Sequence, residues 1–214
     1  MHLLEAALAW VAIDDDPAWR RLADRIAALC LQKFVDPASG ALREFFAVDW
    51  SPSPGVEGCV CEPGHHYEWA FLLDRWARLT GRSKPEAVAR IIAFADSHGL
   101  DARRGVAVNA VLADGSIHDP VARLWAQAER VRAYLAHRHA DEQVAAAVKG
   151  LRRFLATPTA GVWFDQLAPD DVFVHEPARA TSLYHIIGAA AELSDAIADA
   201  ANVSFPVRRP APRR

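Results

Sequence analysis

The residues best able to move protons in this sequence are histidines next to expected helix starts. In the run Glu62-Pro63-Gly64-His65-His66-Tyr67-Glu68-Trp69, Pro-Gly forces a turn and an apolar helical face begins directly after it. This predicts His65 in the first helical turn, with Glu68 one turn on and on the same face. The positive end of the helix dipole disfavours an imidazolium there, so the expectation is a neutral base. The plainer alternative has His65 as a capping residue and His66 on the surface. A second run, Ala180-Thr181-Ser182-Leu183-Tyr184-His185, predicts a helix capped by Thr181 or Ser182, with His185 also in a first turn. Two neutral histidines facing one cavity could exchange a substrate proton, one as base and the other as conjugate acid. Taken alone, a histidine at that position is more commonly a packing residue.

Two further groups carry weaker signals. His2 and Glu5 lie three apart at the start of an amphipathic segment, and Arg123, Trp125 and Glu129 interrupt an otherwise apolar helix. A solvated, salt-bridged face explains the latter equally well. Arg43 and Arg179 stand in irregular stretches where they could meet a phosphate, although a solvated role explains each.

The elements that must position these residues are helical. Apolar periodicity predicts helices over 3–13, 17–35, 66–80, 84–98, 120–137, 141–156 and 181–201, the fourth capped by Ser83. They follow one another mostly as hairpins, which predicts an all-α, layered hairpin array in one domain. Strand signals are confined to 106–112 and 161–164. The segment 36–64 lacks helical periodicity, and long loops of this kind inside compact domains are commonly lids or binding loops. A second irregular stretch spans 158–180, so both loops lead into histidine-bearing helices. The proline- and arginine-rich tail at 204–214 is expected to be poorly ordered.

Composition sets the outer bounds. Of 214 residues, 52% are hydrophobic and 24% charged, enough apolar material for a core and too much for general disorder. The net charge of −3, with basic residues spread along the chain, argues against a nucleic-acid partner. No run approaches the roughly 20 apolar residues of a membrane span, and no secretory leader is evident, so a cytoplasmic location is expected. The three cysteines, Cys30, Cys59 and Cys61, lack zinc-like spacing and read as reduced thiols rather than as a structural metal site.

Taken in order, the segments MHLLEA, EPGHHYEWAFLL, RLWAQAE and ATSLYHI resemble the N-acylglucosamine 2-epimerase superfamily, which includes mannose isomerases and cellobiose 2-epimerases. The run GALREFFAVDW fits its aldose–ketose isomerase branch. The resemblance spans the chain to about residue 201. It covers only the C-terminal half of a complete member, whose N-terminal half would carry the other hairpins and part of the pocket. It implies an (α/α)6 barrel, so residues 1–203 are expected to form about half of one, with the site in its mouth and neither metal nor organic cofactor. It further implies His65 and His185 as the acid/base pair, His2 as a third histidine of the site, and Glu5, Glu68, Arg123, Trp125 and Glu129 lining a monosaccharide pocket. The expected reaction is isomerisation or 2-epimerisation through a cis-enediol. The alternative is an inactive half-barrel acting as a sugar-binding or protein-interaction module, either as a homo-oligomer or paired with a separate N-terminal half. Glycoside hydrolysis by Glu68 and Glu129 ranks last, because it leaves the histidines unexplained.

Overall fold

The computed structural model describes residues 1–204, so the tail expected beyond Ser204 lies outside the described residues. The described residues hold seven α-helices: α1 (His2–Val11), α2 (Pro17–Leu29), α3 (Pro63–Thr80), α4 (Ala87–His98), α5 (Leu124–Ala136), α6 (Asp141–Leu155) and α7 (Ala180–Ser204). A π-helical turn, Cys30–Phe34, continues α2. Pairings α1–α2, α3–α4 and α5–α6 form hairpins, and α1, α3, α5 and α7 stand side by side in a row. The result is an inner row of four helices backed by three outer ones.

Burial follows from this arrangement. The inner helices α3 and α5 are buried on nearly every face, including charged residues Glu68, Asp74, Glu129, Arg130 and Arg132. Outer α2 and α6 bury only a narrow stripe, Ala23 and Ala27 on one and Ala147, Gly150, Leu151 and Phe154 on the other. The core is centred on α3, where Tyr67, Phe71, Leu72 and Leu73 are fully buried. Each such side chain contributes about 1.5–3 kcal/mol through removal from water. Asp24 of α2 accepts from the Trp76 indole at 2.8 Å and from Nε and Nη2 of Arg82, which ties the outer helix to the end of α3. At the two ends of the inner row, large apolar side chains stay exposed: Leu3, Trp10 and Ile13 around α1, and Leu183, Tyr184, Ile187 and Ile197 on α7.

Several boundaries differ from expectation for identifiable reasons. The fourth helix starts at Ala87, so Ser83 does not cap it; Pro85 disfavours helical geometry at Lys84. The fifth starts at Leu124 rather than Pro120, because Ala122–Arg123 (β6) pairs with Gln166–Leu167 (β7). No strand forms at 161–164. The short strands β1 (Val60–Cys61), β4 (Ala110–Leu112) and β5 (Ile117–Asp119) make a three-stranded sheet, and β2 (Leu100–Asp101) pairs with β3 (Val106–Ala107). These pieces fasten loops over the ends of the inner helices.

Candidate active site

The loop between α2 and α3 is held against the inner row by His66. Its imidazole is fully buried, stacks on Phe94, donates from Nδ1 to the Glu62 carbonyl at 2.9 Å, and accepts the Leu42 backbone N–H on Nε2 at 2.9 Å. Burial pushes its pKa down to about 4, so it is a neutral, structural histidine rather than a surface one. Gly40 completes the attachment. Its φ of 81° and a notional Cβ 2.3 Å from the Arg90 carbonyl oxygen leave room for no other residue. With Leu42 fixed, the chain delivers Glu44 to His65.

His65 is the third residue of α3, and its Nδ1 lies 2.8 Å from a Glu44 carboxylate oxygen and 3.5 Å from Glu62. Burial works to lower its pKa, but the Glu44 hydrogen bond and the charges of Glu44, Glu62 and Glu68 outweigh it, and the net shift is upward. The expectation of a base kept neutral by the helix dipole is therefore corrected: a carboxylate at hydrogen-bond distance dominates over a half-charge spread along a helix end.

His185 has the same kind of partner. Its Nδ1 is 2.7 Å from Oε1 of the fully buried Glu129. Arg132 Nη1 donates to both Glu129 oxygens at 2.9 and 3.0 Å, and Nη2 donates to Glu5 at 2.8 Å, forming a chain Glu5–Arg132–Glu129–His185 across α1, α5 and α7. His185 is the sixth residue of α7, beyond the first turn in which a helix dipole is felt. Ser182 is not a cap: its hydroxyl donates to the buried Asp165, which also receives Arg123 Nη2 at 3.0 Å. That junction fixes the start of α7 beside the start of α5.

Between the two histidines sits Trp125, with ring centroids 4.9 Å from His65 and 5.6 Å from His185. The indole packs over Gly64, where a Cβ would fall 2.5 Å from its ring. Glu68 is buried beneath, its Oε1 without a hydrogen-bond partner. Desolvation, reinforced by the charge of Glu129, raises its pKa to about 7. His2 is exposed at the rim, 3.9 Å from Glu68 and edge-on to Tyr184 at 6.1 Å. A shallow cleft of 390 Å³ lined by His2, Glu5, Arg75 and Tyr184 adjoins it.

The eight residues singled out from sequence thus fall around one surface, with Glu5 and Arg123 held by ion pairs within it. Arg43 donates to the Gly58 carbonyl, and Arg179 stands near Glu176 and the Asp165 that also receives Arg123. Donor atoms of Glu68, Glu129 and His185 lie within 4.8 Å of one another, as do those of His2, Glu5 and Glu68, which is metal-like spacing. Arg132 already neutralises Glu129 and Glu5, so a cation would have to compete with a buried guanidinium. Glu44, Arg132 and Asp165 are not singled out by the sequence, and Ser182 is singled out only as a cap. Glu44 stands inside the run GALREFFAVDW, and Arg132 stands three residues after Glu129 on the buried face of α5. Those positions were the available signals.

Comparison with known proteins accords with this geometry. The family model for N-acylglucosamine 2-epimerase matches residues 1–189. A mannose-6-phosphate isomerase of Rhizobium meliloti (strain 1021) is 41% identical, over 92% of this chain and 54% of its own length. A cellobiose 2-epimerase of Bacteroides fragilis is 29% identical, over 79% of this chain and 45% of its own. Among solved structures, a sugar epimerase from a ruminal bacterium superposes with a TM-score of 0.76 at 17% identity, and a D-mannose isomerase with 0.73 at 22%; the chain covers 52% and 55% of them. The fold is accordingly about half of an (α/α)6 barrel, and the chain spans about half the length of the curated relatives it matches. With two carboxylate-backed histidines on one indole and a match running through both, the chain belongs to the N-acylglucosamine 2-epimerase family.

Proposed function

We propose that this chain carries the acid/base half of a sugar isomerase or 2-epimerase that needs no cofactor. The observation that supports it best is that His65 and His185 each present Nδ1 to a carboxylate while flanking Trp125. With Nδ1–H donating to the carboxylate, Nε2 is the nitrogen left for substrate. A neutral histidine takes the C2 proton of an open-chain aldose, and the electron pair moves onto the C1 oxygen as the cis-enediol forms. Return of a proton to C1, with loss of the O2 proton, gives the ketose; return to the opposite face of C2 gives the epimer.

His65, whose protonated form is favoured by Glu44, is the imidazolium that donates, and His185 is the base. Glu68, whose pKa burial and the charge of Glu129 raise to about 7, supplies a hydrogen bond to the enediolate oxygens from its protonated form, and Trp125 closes over the sugar. Arg123, His2 and Glu5 line the pocket. The substrate class is a small aldose or ketose of the mannose–fructose type, or an N-acylglucosamine.

Proton NMR of mannose, fructose or N-acetylglucosamine incubated with the protein tests this. The expected result is conversion to the ketose or epimer, in this chain or in a longer chain carrying the complementary half-barrel. Absence of conversion in both overturns it. A second reading, a sugar-binding or interaction module, is favoured by the apolar side chains left exposed on α1 and α7. A well-folded, non-associating monomer by light scattering would count against it.

A further inference from the structure

We propose that the cleft between the outer helices α4 and α6 is a second site, distinct from the histidine surface, that binds a small phosphate-bearing anion. The cleft measures 710 Å³ and is enclosed by Asp96 and Ser97 of α4, the 101–105 turn, Arg130 of α5, and Lys149 and Arg153 of α6. This volume suits a molecule of sugar-phosphate size. Its walls come from the two middle hairpins and the turn between them, so it does not depend on the open faces at either end of the inner row.

The charges in the cleft are unequal and unequally used. Five cations (Arg103, Arg104, Arg130, Lys149, Arg153) line it against two carboxylates, Asp96 and Asp101. Both carboxylates are engaged: Asp96 accepts the hydroxyls of Tyr67 and Tyr134 at 2.8 and 2.6 Å, and Asp101 holds Arg104 at 2.7 Å. Arg104 also donates to the carbonyls of Ala168 and Pro120, Arg103 to that of Pro169, and Arg153 to Asp171 and the Arg104 carbonyl.

Arg130 is different. It is 7% exposed, its Nε is buried without a hydrogen-bond partner, and its Nη1 reaches the Gly105 carbonyl only at 3.4 Å. The guanidinium lies over the Tyr134 ring at 5.1 Å. Its polar partners are the Tyr134 hydroxyl and the long carbonyl contact, and among the described residues it makes no ion pair with a carboxylate, so a buried cation is left that an anion would complete. A guanidinium fork at the floor of a cleft, with an ammonium at the rim, is the donor set that phosphate oxygens take best.

Calorimetric titration and thermal unfolding with inorganic phosphate, against chloride at matched ionic strength, test the proposal. Phosphate at about ten times its Kd should raise Tm by about 3–6 °C. Lys149→Glu, at an exposed position, should weaken binding at least tenfold, and Arg130→Gln should abolish it. Should Arg130→Gln not fold, phosphate-induced amide shifts at Gly105 and Arg130 in the unaltered protein serve instead. Arg179→Gln and His185→Gln should leave the shift in place, which separates this site from the histidine surface. A hexose 6-phosphate binding more tightly than inorganic phosphate identifies a phosphorylated metabolite as the ligand; equal affinity identifies free phosphate. No stabilisation beyond that of chloride, or stabilisation untouched by Lys149→Glu, would overturn the proposal.

Discussion

Each candidate catalytic imidazole shares Nδ1 with a glutamate, so the behaviour of the histidine is set by how that glutamate is held. Glu44 arrives on a loop and raises the His65 pKa against the effect of burial. In Glu44→Gln only burial and the more distant Glu62 and Glu68 remain, and the pKa of His65 falls. If His65 donates as imidazolium, the basic limb of the kcat/KM profile moves to lower pH, and activity at pH 8 drops by about tenfold or more. An unmoved limb would assign the donor elsewhere. Glu68 yields a prediction in stability. Its folded pKa of about 7 exceeds the ordinary carboxyl value, so its contribution is full below pH 4.5 and is lost as pH rises through 7. Glu68→Gln does not titrate, and its stability relative to the unaltered protein should improve by about 2–3 kcal/mol between pH 5 and 8 in urea melts. At this scale the sequence was legible wherever residue type and helical spacing sufficed, as for His65 and Glu68. It was not legible for Glu44 or Asp165, which reach their partners from loops through tertiary contacts of 21 and 42 residues' separation.

Helix identity was readable from periodicity because α2, α4 and α6 have one buried stripe each, whereas helix starts were decided by contacts that spacing does not encode. Leu124 N–H donates to the Asp165 carbonyl, extending the β6–β7 ladder and delaying α5. The 36–62 loop depends on His66 in the same way. In His66→Ala the Leu42 N–H loses its buried partner, at about 1–3 kcal/mol, while the Glu62 carbonyl keeps only the backbone N–H of residue 66. Hydrogen exchange at Leu42 should accelerate, and the Glu44–His65 contact should be lost with it. The stabilising effect of neutral His66 is present above pH 6.5 and is lost as pH falls through about 4, so acid should open this loop. Gly64→Ala probes the other element contact. Its methyl meets the Trp125 ring, so the indole should shift, with altered tryptophan fluorescence and about a 10²-fold loss of kcat/KM.

At the scale of the molecule, a row of inner helices backed by outer ones buries its middle and leaves both ends apolar. The hairpin count and the half-barrel were legible because four separate motifs appear in order. The outer-layer cleft was not, because Arg130 differs from the buried Arg104 and Arg132 in lacking a carboxylate partner, which helical spacing does not show. Because α1 and α7 expose Leu3, Trp10, Leu183 and Ile187, a complementary half-barrel added in trans should raise Tm and reduce self-association measured by sedimentation. The most direct test of the two-histidine account is solvent deuterium incorporation into C1 and C2 of mannose or fructose, followed by NMR in the complemented protein, in His65→Gln and in His185→Gln. The account predicts incorporation in the unaltered protein and a loss of about 10²–10⁴-fold in each variant. Incorporation at the unaltered rate in either variant would contradict it.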